Sequence, residues 1–304
     1  MITKKTCLLL GAGASTHLGF PLGAELKRQM LTAMDDWIQI KGSSIPPKLE
    51  VPVEDVKSFY EEMLHSNFSS PDAFLEKFPE HKRVGKYLMC EILSKKEIER
   101  NFISQAGWYQ HLVNAIQVDK IEQLVENNLS IVTFNYDRSI DFKLHKFVQH
   151  HYRLSSDEAW QTLRAAIPII HLHGTLGEYP EVPYGCTDDI LERSNSIQIL
   201  HETDESSEQT KENFAQASRF LNGAETVAVF GFGFGADNVR RLNFFKEQEK
   251  EERDLCVALG YISGSLNQQE VNAKMSKWGL KLNKHCYYQP CNEVFGHYRN
   301  PFVS

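Results

Sequence analysis

The N-terminal part of the chain joins a short apolar run to a glycine-rich segment. Residues Thr6–Leu10 have the composition of a buried β-strand, and five small residues follow at once: Gly11, Ala12, Gly13, Ala14 and Ser15. Glycines let a backbone approach a phosphate closely, and the start of a following helix offers free N–H groups and the positive end of its dipole. The pattern predicts the start of a nucleotide-binding unit, with a plain strand-to-helix turn as the alternative.

Four later runs have the same buried-strand character, and helical patterns such as 120–127 and 213–221 separate them. These runs are Ser130–Phe134, Ile167–Leu172, Thr226–Phe232 and Leu255–Tyr261. Strands that alternate with helices predict a parallel sheet covered by helices. We therefore expect an α/β fold, a Rossmann-like parallel sheet flanked by helices, with a helical insertion.

Two stretches break the alternation. The chain from about Gly23 to Val118 has amphipathic helical patterns, at 53–64, 71–78 and 84–102, and almost no strand signal. The stretch 177–211 is polar and acidic, which predicts a long loop. The prediction is a single domain over 1–304, with a Rossmann-like core of 1–28 plus 119–304, a helical insertion at 29–118 and an acidic loop at 177–211.

Composition excludes some classes of function. The 304 residues include 33 Lys+Arg and 40 Asp+Glu, a net charge of −7, which disfavours direct nucleic-acid binding because phosphate neutralisation needs a basic face. No stretch approaches the roughly 18 apolar residues of a membrane span. The apolar run after Met1–Lys5 ends in glycine rather than in a signal-peptide cleavage site. We expect a cytoplasmic protein with no membrane partner.

The six cysteines form no C-x-x-C pair, and in a reducing compartment they are expected to be free thiols. One group has the residue types that bind zinc: His285, Cys286, Cys291 and His297. Its spacing fits no zinc template, so no metal is expected, and the spacing does not decide whether this group binds anything else.

Polar residues alternate where the second predicted strand ends. Thr133, Asn135 and Asp137 would share one side, with Phe134 and Tyr136 on the other, if the strand continued. Polar side chains at the carboxyl end of a parallel strand face the crevice in which α/β folds bind ligands. A helix cap is the alternative for Asp137, but three alternating polar residues exceed what a cap needs.

Two histidines, His171 and His173, follow on the next strand, and Gly174 comes directly after them. His173 lies nearer the predicted crevice, and a histidine with a near-neutral pKa is a natural general base. For His171 a role in the core is the favoured interpretation. A second glycine-rich turn follows the fourth strand and contains Gly231, Gly233 and Asp237, with Phe232 and Phe234 as packing residues.

In this order the segments resemble the sirtuin-like NAD-binding domain. The matching segments are Gly11–Ser15, Gly19-Phe20-Pro21 with Gly23, Thr133–Asp137, His173-Gly174 and Gly231–Gly235. The resemblance is closest to the bacterial NAD-hydrolysing branch that acts in anti-phage defence and lacks the zinc ribbon. The motifs are short, but their shared order is more specific than any one of them.

The resemblance implies roles for individual residues. Gly11, Ala12, Gly13 and Ser15, with Ala14 in the same turn, would cradle the NAD diphosphate. Thr133, Asn135 and Asp137 would surround the nicotinamide ribose, and His173 would be the catalytic histidine. Gly231, Gly233 and Asp237 would lie on the adenosine side, although glycine at 233 replaces a frequent serine.

Two departures separate this chain from sirtuin deacylases. Leu22–Leu26 follows the Gly-x-Pro turn where deacylases carry an arginine-containing segment, and only Cys186 lies between Gly174 and Gly231, where they carry a zinc ribbon. The expected reaction is therefore NAD hydrolysis to nicotinamide and ADP-ribose, with NAD as substrate. Asn135 would orient water and ribose, His173 would accept a proton, and Asp137 would orient the site.

The alternatives are an NAD-dependent protein deacylase or ADP-ribosyltransferase, and a catalytically silent NAD or ADP-ribose sensor. An unrestrained NAD hydrolase would kill its own cell, so gating is expected. The resemblance implies a homo-oligomer and a regulatory or activating protein partner, such as a defence-system ATPase.

Overall fold

The protein is described here from a computed structural model. It describes residues 1–40, 45–104, 107–199, 208–242, 254–258, 286–287 and 291. Within these residues, no helix is both long enough and apolar enough to cross a lipid bilayer.

A parallel sheet forms the centre of the fold. Its strands are β1 (Thr6–Leu10), β2 (Leu129–Thr133), β3 (Ile169–His171), β4 (Thr226–Phe230), β5 (Asp254–Ala258) and β6 (Cys286–Tyr287). They lie side by side in the order β3-β2-β1-β4-β5-β6, and all the pairings are parallel. This is the strand order of a Rossmann fold, in which a ligand crevice opens beside β1 and β4, where the order reverses.

Helices connect the strands. They are α1 (Gly23–Gln39), α2 (Val53–His65), α3 (Pro71–Lys77), α4 (Lys82–Ser94), α5 (Asn101–Ser104), α6 (Trp108–Ile116), α7 (Ser139–His151), α8 (Ser156–Ala166), α9 (Ile190–Ser194), α10 (Glu208–Gly223) and α11 (Ala236–Leu242). Short 3₁₀ helices cover Ala12–Leu18, Pro47–Leu49, Pro79–His81 and Ile121–Glu126. In the described residues from β1 to β2 every regular element is a helix, as the amphipathic patterns predict.

Alternate residues of the central strands pack on opposite faces of the sheet. Leu8 and Leu10 of β1 join a large cluster with the helices that precede β2 and with α7 and α8. Cys7 and Leu9 join a smaller cluster with α10 and α11. Both faces of the sheet are therefore buried, which is why β1 and β4 are apolar after their first residue, a threonine in each, rather than alternating.

The predicted fold class is confirmed, and the strands lie within two residues of their predicted starts. The predicted helix over 84–102 is wrong, because α4 ends at Ser94 and the chain turns so that Glu97 points into the interior. The predicted loop over 177–211 contains α9 and the start of α10, and Arg193 in α9 is buried. Residues 259–261 of the last predicted strand lie outside the described residues.

The division into core and insertion stays a prediction. Helix α1 crosses the predicted start of the insertion at residue 29, because Leu26, Met30 and Met34 form one continuous buried face of this helix.

Candidate functional site

The two glycine-rich turns lie against each other where the strand order reverses. The N–H of Gly11 donates to the carbonyl of Phe230 at 3.0 Å, and the N–H of Gly13 donates to the carbonyl of Gly231 at 3.0 Å. The N–H of Ala14 donates within the first turn, to Gly11 at 2.9 Å. The Gly11 and Gly13 donors therefore serve the contact between the two segments, and the Ala14 donor serves the first turn itself.

The glycines are required by this close approach. A Cβ on Gly13 would lie 2.7 Å from the Cα of Gly231, and a Cβ on Gly11 would lie 2.7 Å from the carbonyl oxygen of Gly231. Gly231 itself has a φ of +63°, and its Cβ would lie 2.0 Å from the backbone nitrogen of Ala14. Small residues are needed here for the contact of backbone with backbone.

We expect Gly231→Ala to destabilise the protein by more than about 3 kcal/mol, because it combines a backbone clash with a strained φ. Gly233→Ala is the matched control, since a Cβ there meets nothing within 4 Å and φ is not in the left-handed region. Its free energy of unfolding should stay within about 0.5 kcal/mol of the parent value. Urea unfolding checks both, and equal effects would contradict the packing of the turns.

The polar segment after β2 does not continue the strand. β2 ends at Thr133, and the Thr133 hydroxyl accepts a hydrogen bond from the Asn135 N–H at 3.0 Å. Phe134 belongs to the small apolar cluster and Tyr136 to the large one. The prediction that these two rings lie on the same side is therefore wrong. The physical reason is this side-chain-to-backbone bond, which turns the chain.

Ser15 connects the first turn to this segment. Its hydroxyl donates to Asp137 Oδ2 at 2.9 Å and accepts from Asn135 Nδ2 at 3.2 Å. All three side chains are buried, and burial raises the pKa of the Asp137 carboxyl. Three of the predicted site residues thus form one hydrogen-bonded group.

Asp137 also has the local role that the helix-cap alternative predicts. Its Oδ1 accepts from the N–H of Ser139, the first residue of α7, at 3.1 Å. The carboxylate therefore anchors α7 with one oxygen and Ser15 with the other.

His173 follows β3 and is 5% exposed, and its Nε2 makes no hydrogen bond within the described residues. Its ring packs edge-on against Phe134, with centroids 5.1 Å apart, and lies 6.2 Å from the ring of Tyr136. Burial, with a smaller contribution from Arg241, lowers the pKa of His173 to about 3. The imidazole is therefore neutral at physiological pH, and it lies near the rings of the two residues that flank Asn135 in the chain.

The family comparison covers half of this chain. Residues 129–281 match the SIR2-like domain, a range that includes the Thr133–Asp137 segment, His173 and the second glycine turn. The chain belongs to the SIR2-like family. No curated protein sequence matches the chain significantly.

Membership in the SIR2-like family implies binding or use of NAD, because its members are typically NAD-utilising enzymes. The residues fit such a ligand. Among the described residues, His173 Nε2 and Asn238 Oδ1 are buried polar atoms that make no hydrogen bond, and buried polar atoms of this kind are rare unless something else satisfies them. In the described part of the chain, no atom lies within 4 Å of the position that a Cβ on Gly233 would take.

The predicted adenosine side is described only in part. Gly231 belongs to the contact between the turns, while Gly233 is exposed. Phe232 and Phe234 are buried and pack against each other, as expected for packing residues. Asp237 lies in the first turn of α11, and its side chain is outside the described residues.

Three buried contacts around the site had no counterpart in the sequence interpretation. Tyr136 donates a short hydrogen bond to Asp72 in the first turn of α3, which ties the helices before β2 to the Asn135 segment. Arg138 pairs with Glu97, and both side chains are fully buried. The one feature of the sequence that could have indicated a role for Arg138 is its position directly after Asp137.

Arg193 has a similar role on the other side of the loop after His173. Its guanidinium donates to the carbonyls of Leu176, Cys186 and Asp188 and to the Ser94 hydroxyl. Two buried arginines therefore hold the segment that leaves β3.

Metal ligands are limited in the described part of the chain. Glu62, Glu80 and His81 have potential ligand atoms within 4.8 Å of one another, and His81 Nε2 already lies at hydrogen-bonding distance, 3.2 Å, from Glu62 Oε2. Of the zinc-type group noted in the sequence, Cys291 is buried, and His285 and His297 lie outside the described residues.

Proposed function

We propose that this SIR2-like protein is an NAD glycohydrolase that cleaves the bond between nicotinamide and ribose and releases ADP-ribose. In this proposal it acts as a gated NAD-depleting effector in bacterial anti-phage defence and works in the cytoplasm without a metal. The defence role rests on the motif resemblance, and the chemistry rests on the site.

The observation that carries the proposal is the buried Nε2 of His173, which makes no hydrogen bond to any of the residues that the structure describes. Leaving a buried polar atom unsatisfied costs about 1–3 kcal/mol, so the fold is expected to keep it for a ligand. A neutral imidazole beside Asn135 can accept a proton from water or from a ribose hydroxyl.

The neighbouring residues supply the other requirements of the reaction. Cleavage of this glycosidic bond develops positive charge on the sugar, and nearby polar and anionic groups stabilise such charge. Asn135 is held by Ser15, which keeps its amide in one orientation for the ribose and the attacking water. Asp137 shares Ser15 and orients the group.

Hydrolysis is favoured over protein deacylation by what the sequence lacks. The segment between Gly174 and Gly231 contains one cysteine, Cys186, which cannot form a four-cysteine zinc ribbon. The residues after Pro21, Leu22–Leu26, include no arginine.

The test is incubation of the full chain with NAD alone and with NAD plus an acetylated peptide. We expect nicotinamide and ADP-ribose, or its cyclised form, at equal rates in both. Nicotinamide release only with peptide would indicate a deacylase or ADP-ribosyltransferase and overturn the proposal. Calorimetric NAD binding without turnover would instead indicate a sensor.

Gating completes the proposal, because uncontrolled NAD loss is lethal to the host cell. We propose control by self-association or by a protein partner such as a defence-system ATPase, through the helices before β2 or the acidic loop. The same assay across protein concentrations checks self-association. Full activity in a monomer that ignores such partners would contradict the gating.

A further inference from the structure

His171 bridges the Asn135 segment to α7. Its Nδ1 lies 3.0 Å from the backbone carbonyl oxygen of Asn135, and its Nε2 lies 2.9 Å from Oδ2 of Asp141. The side chain is 11% exposed, so water contributes little to either contact.

The partners determine the protonation of the ring. A carbonyl oxygen only accepts hydrogen bonds, so Nδ1 must carry a proton to make its contact. A carboxylate oxygen also only accepts, so Nε2 must carry a proton as well. A neutral ring would direct a lone pair at one of these two oxygens.

We propose that His171 is a positioning residue, a resident imidazolium that holds the backbone of Asn135 against Asp141. The inference rests on the proposed function for its effect on turnover. It assigns to His171 a part in the site rather than a place in the apolar core.

Three hydrogen bonds fix the position of Asn135. Its N–H donates to Thr133, its side-chain amide donates to Ser15, and its carbonyl accepts from His171. If His171 lost one of its two ring protons, the lone pair of that nitrogen would face the oxygen of Asn135 or of Asp141, and that contact would become repulsive. Because a displacement of about 1 Å in a catalytic group can cost 10²-fold in rate, this hold matters for turnover.

The electrostatic surroundings agree with a charged ring. In the described part of the chain, the carboxyl of Asp141 on α7 and that of Asp137 after β2 are the ionisable groups that favour the proton. Burial opposes them, and the net effect is a His171 pKa above its ordinary value of 6.5. The ion pair also leaves little net positive charge beside a site that must stabilise a cationic sugar.

The sign of the pH effect follows from that direction. A folded pKa above the unfolded value gives a stabilising contact that is complete below pH 6.5 and is lost as the pH rises through the folded pKa. The proposal therefore predicts an alkaline limb in the pH profile of turnover.

The first experiment needs no substrate. We would titrate the full chain, labelled with ¹⁵N and ¹³C, by NMR and assign the His171 ring by its loss in His171→Gln. We expect a pKa above 6.5, and the amide signals of Asn135 and Tyr136 should titrate with it. A ring that is neutral at pH 6.5, or amides that do not follow it, would overturn the inference whatever the activity of the protein.

Two further variants test which carboxylate raises the pKa of His171. Asp141→Asn removes the carboxylate at constant size and should lower the His171 pKa by at least about one unit. Asp36→Asn, on the exposed side of α1, is the matched control and should leave it unchanged.

Turnover supplies the last comparison. Asp141→Asn should move the alkaline limb of kcat to lower pH by the amount of the NMR shift and reduce kcat about 10–100-fold at pH 8, with a smaller change in KM. A limb that stays in place would overturn the positioning role. Absence of NAD turnover in the parent protein with the NMR result intact would reject the proposed function and leave the bridge standing.

Discussion

His173→Ala is expected to abolish nicotinamide release, with a loss in kcat of at least about 10³-fold. The reason is the removal of the buried imidazole nitrogen that makes no hydrogen bond within the described residues and is the proton acceptor in the proposed mechanism. Asn135→Ala should have a loss of similar size, because its amide is the group that Ser15 orients. Initial rates of nicotinamide release, measured by chromatography, check both variants.

The control for these variants is His65→Ala, whose side chain is 75% exposed at the end of α2 and should retain full activity. A fold control is also available. His173→Leu keeps the volume near constant and removes the unsatisfied nitrogen, so it should unfold at the same or a higher urea concentration while inactive. Retained turnover in His173→Ala would remove His173 from the mechanism.

The location of the site follows from local sequence patterns. Apolar runs marked β1, β2, β3 and β4, and polar or glycine residues marked their carboxyl ends. In a parallel sheet those ends meet at one edge, so residues far apart in the chain, such as Ser15 and Asp137, come together. The strand pattern and the fold class were sufficient to predict that these residues lie at one edge of the sheet.

The contacts that hold the site could not be predicted in the same way. Glu97 lies in a segment with a helical pattern, and nothing local indicates that its carboxylate pairs with Arg138, 41 residues later. The pairing depends on where α4 ends and on how the loop after His173 folds back. Such long-range contacts exist only once the tertiary structure has formed.

The glycine turns show the opposite case, a correct position with a different physical cause. A glycine-rich turn after a strand suggests room for a phosphate, but Gly11 and Gly13 have Gly231 within Cβ contact distance. Their N–H groups donate to the carbonyls of the second turn. One sequence cannot distinguish the approach of a ligand from the approach of another backbone.

The Glu97–Arg138 pair should be the most sensitive charged contact for stability. Both side chains are 0% exposed, and Arg138 Nε lies 3.1 Å from Glu97 Oε1. Arg138 also donates to the carbonyls of Val182 and Pro183, and Glu97 accepts from the N–H of Gly185. The pair therefore links the end of the Asn135 segment to the loop that follows His173.

Removing one partner leaves a buried charge without compensation. We expect Arg138→Ala or Glu97→Ala to reduce the free energy of unfolding by about 3–5 kcal/mol. The double variant should lose less than the two single losses together, because the second substitution removes the stranded charge. Urea unfolding of the four proteins gives this coupling energy directly.

The exposed pair Glu25–Arg28 is the matched control. Its shortest N–O distance is 2.6 Å, close to the 2.5 Å between Arg138 Nη2 and Glu97 Oε2, but its side chains are 40% and 68% exposed. Solvent screens such a pair, so Arg28→Ala should reduce the free energy of unfolding far less than Arg138→Ala does. If Arg138→Ala cost no more than Arg28→Ala, burial of the pair would not be what stabilises the loop. The link between that loop and the Asn135 segment would then have to rest on other contacts, such as the hydrogen bond from the Leu176 N–H to the Tyr136 carbonyl at 3.0 Å.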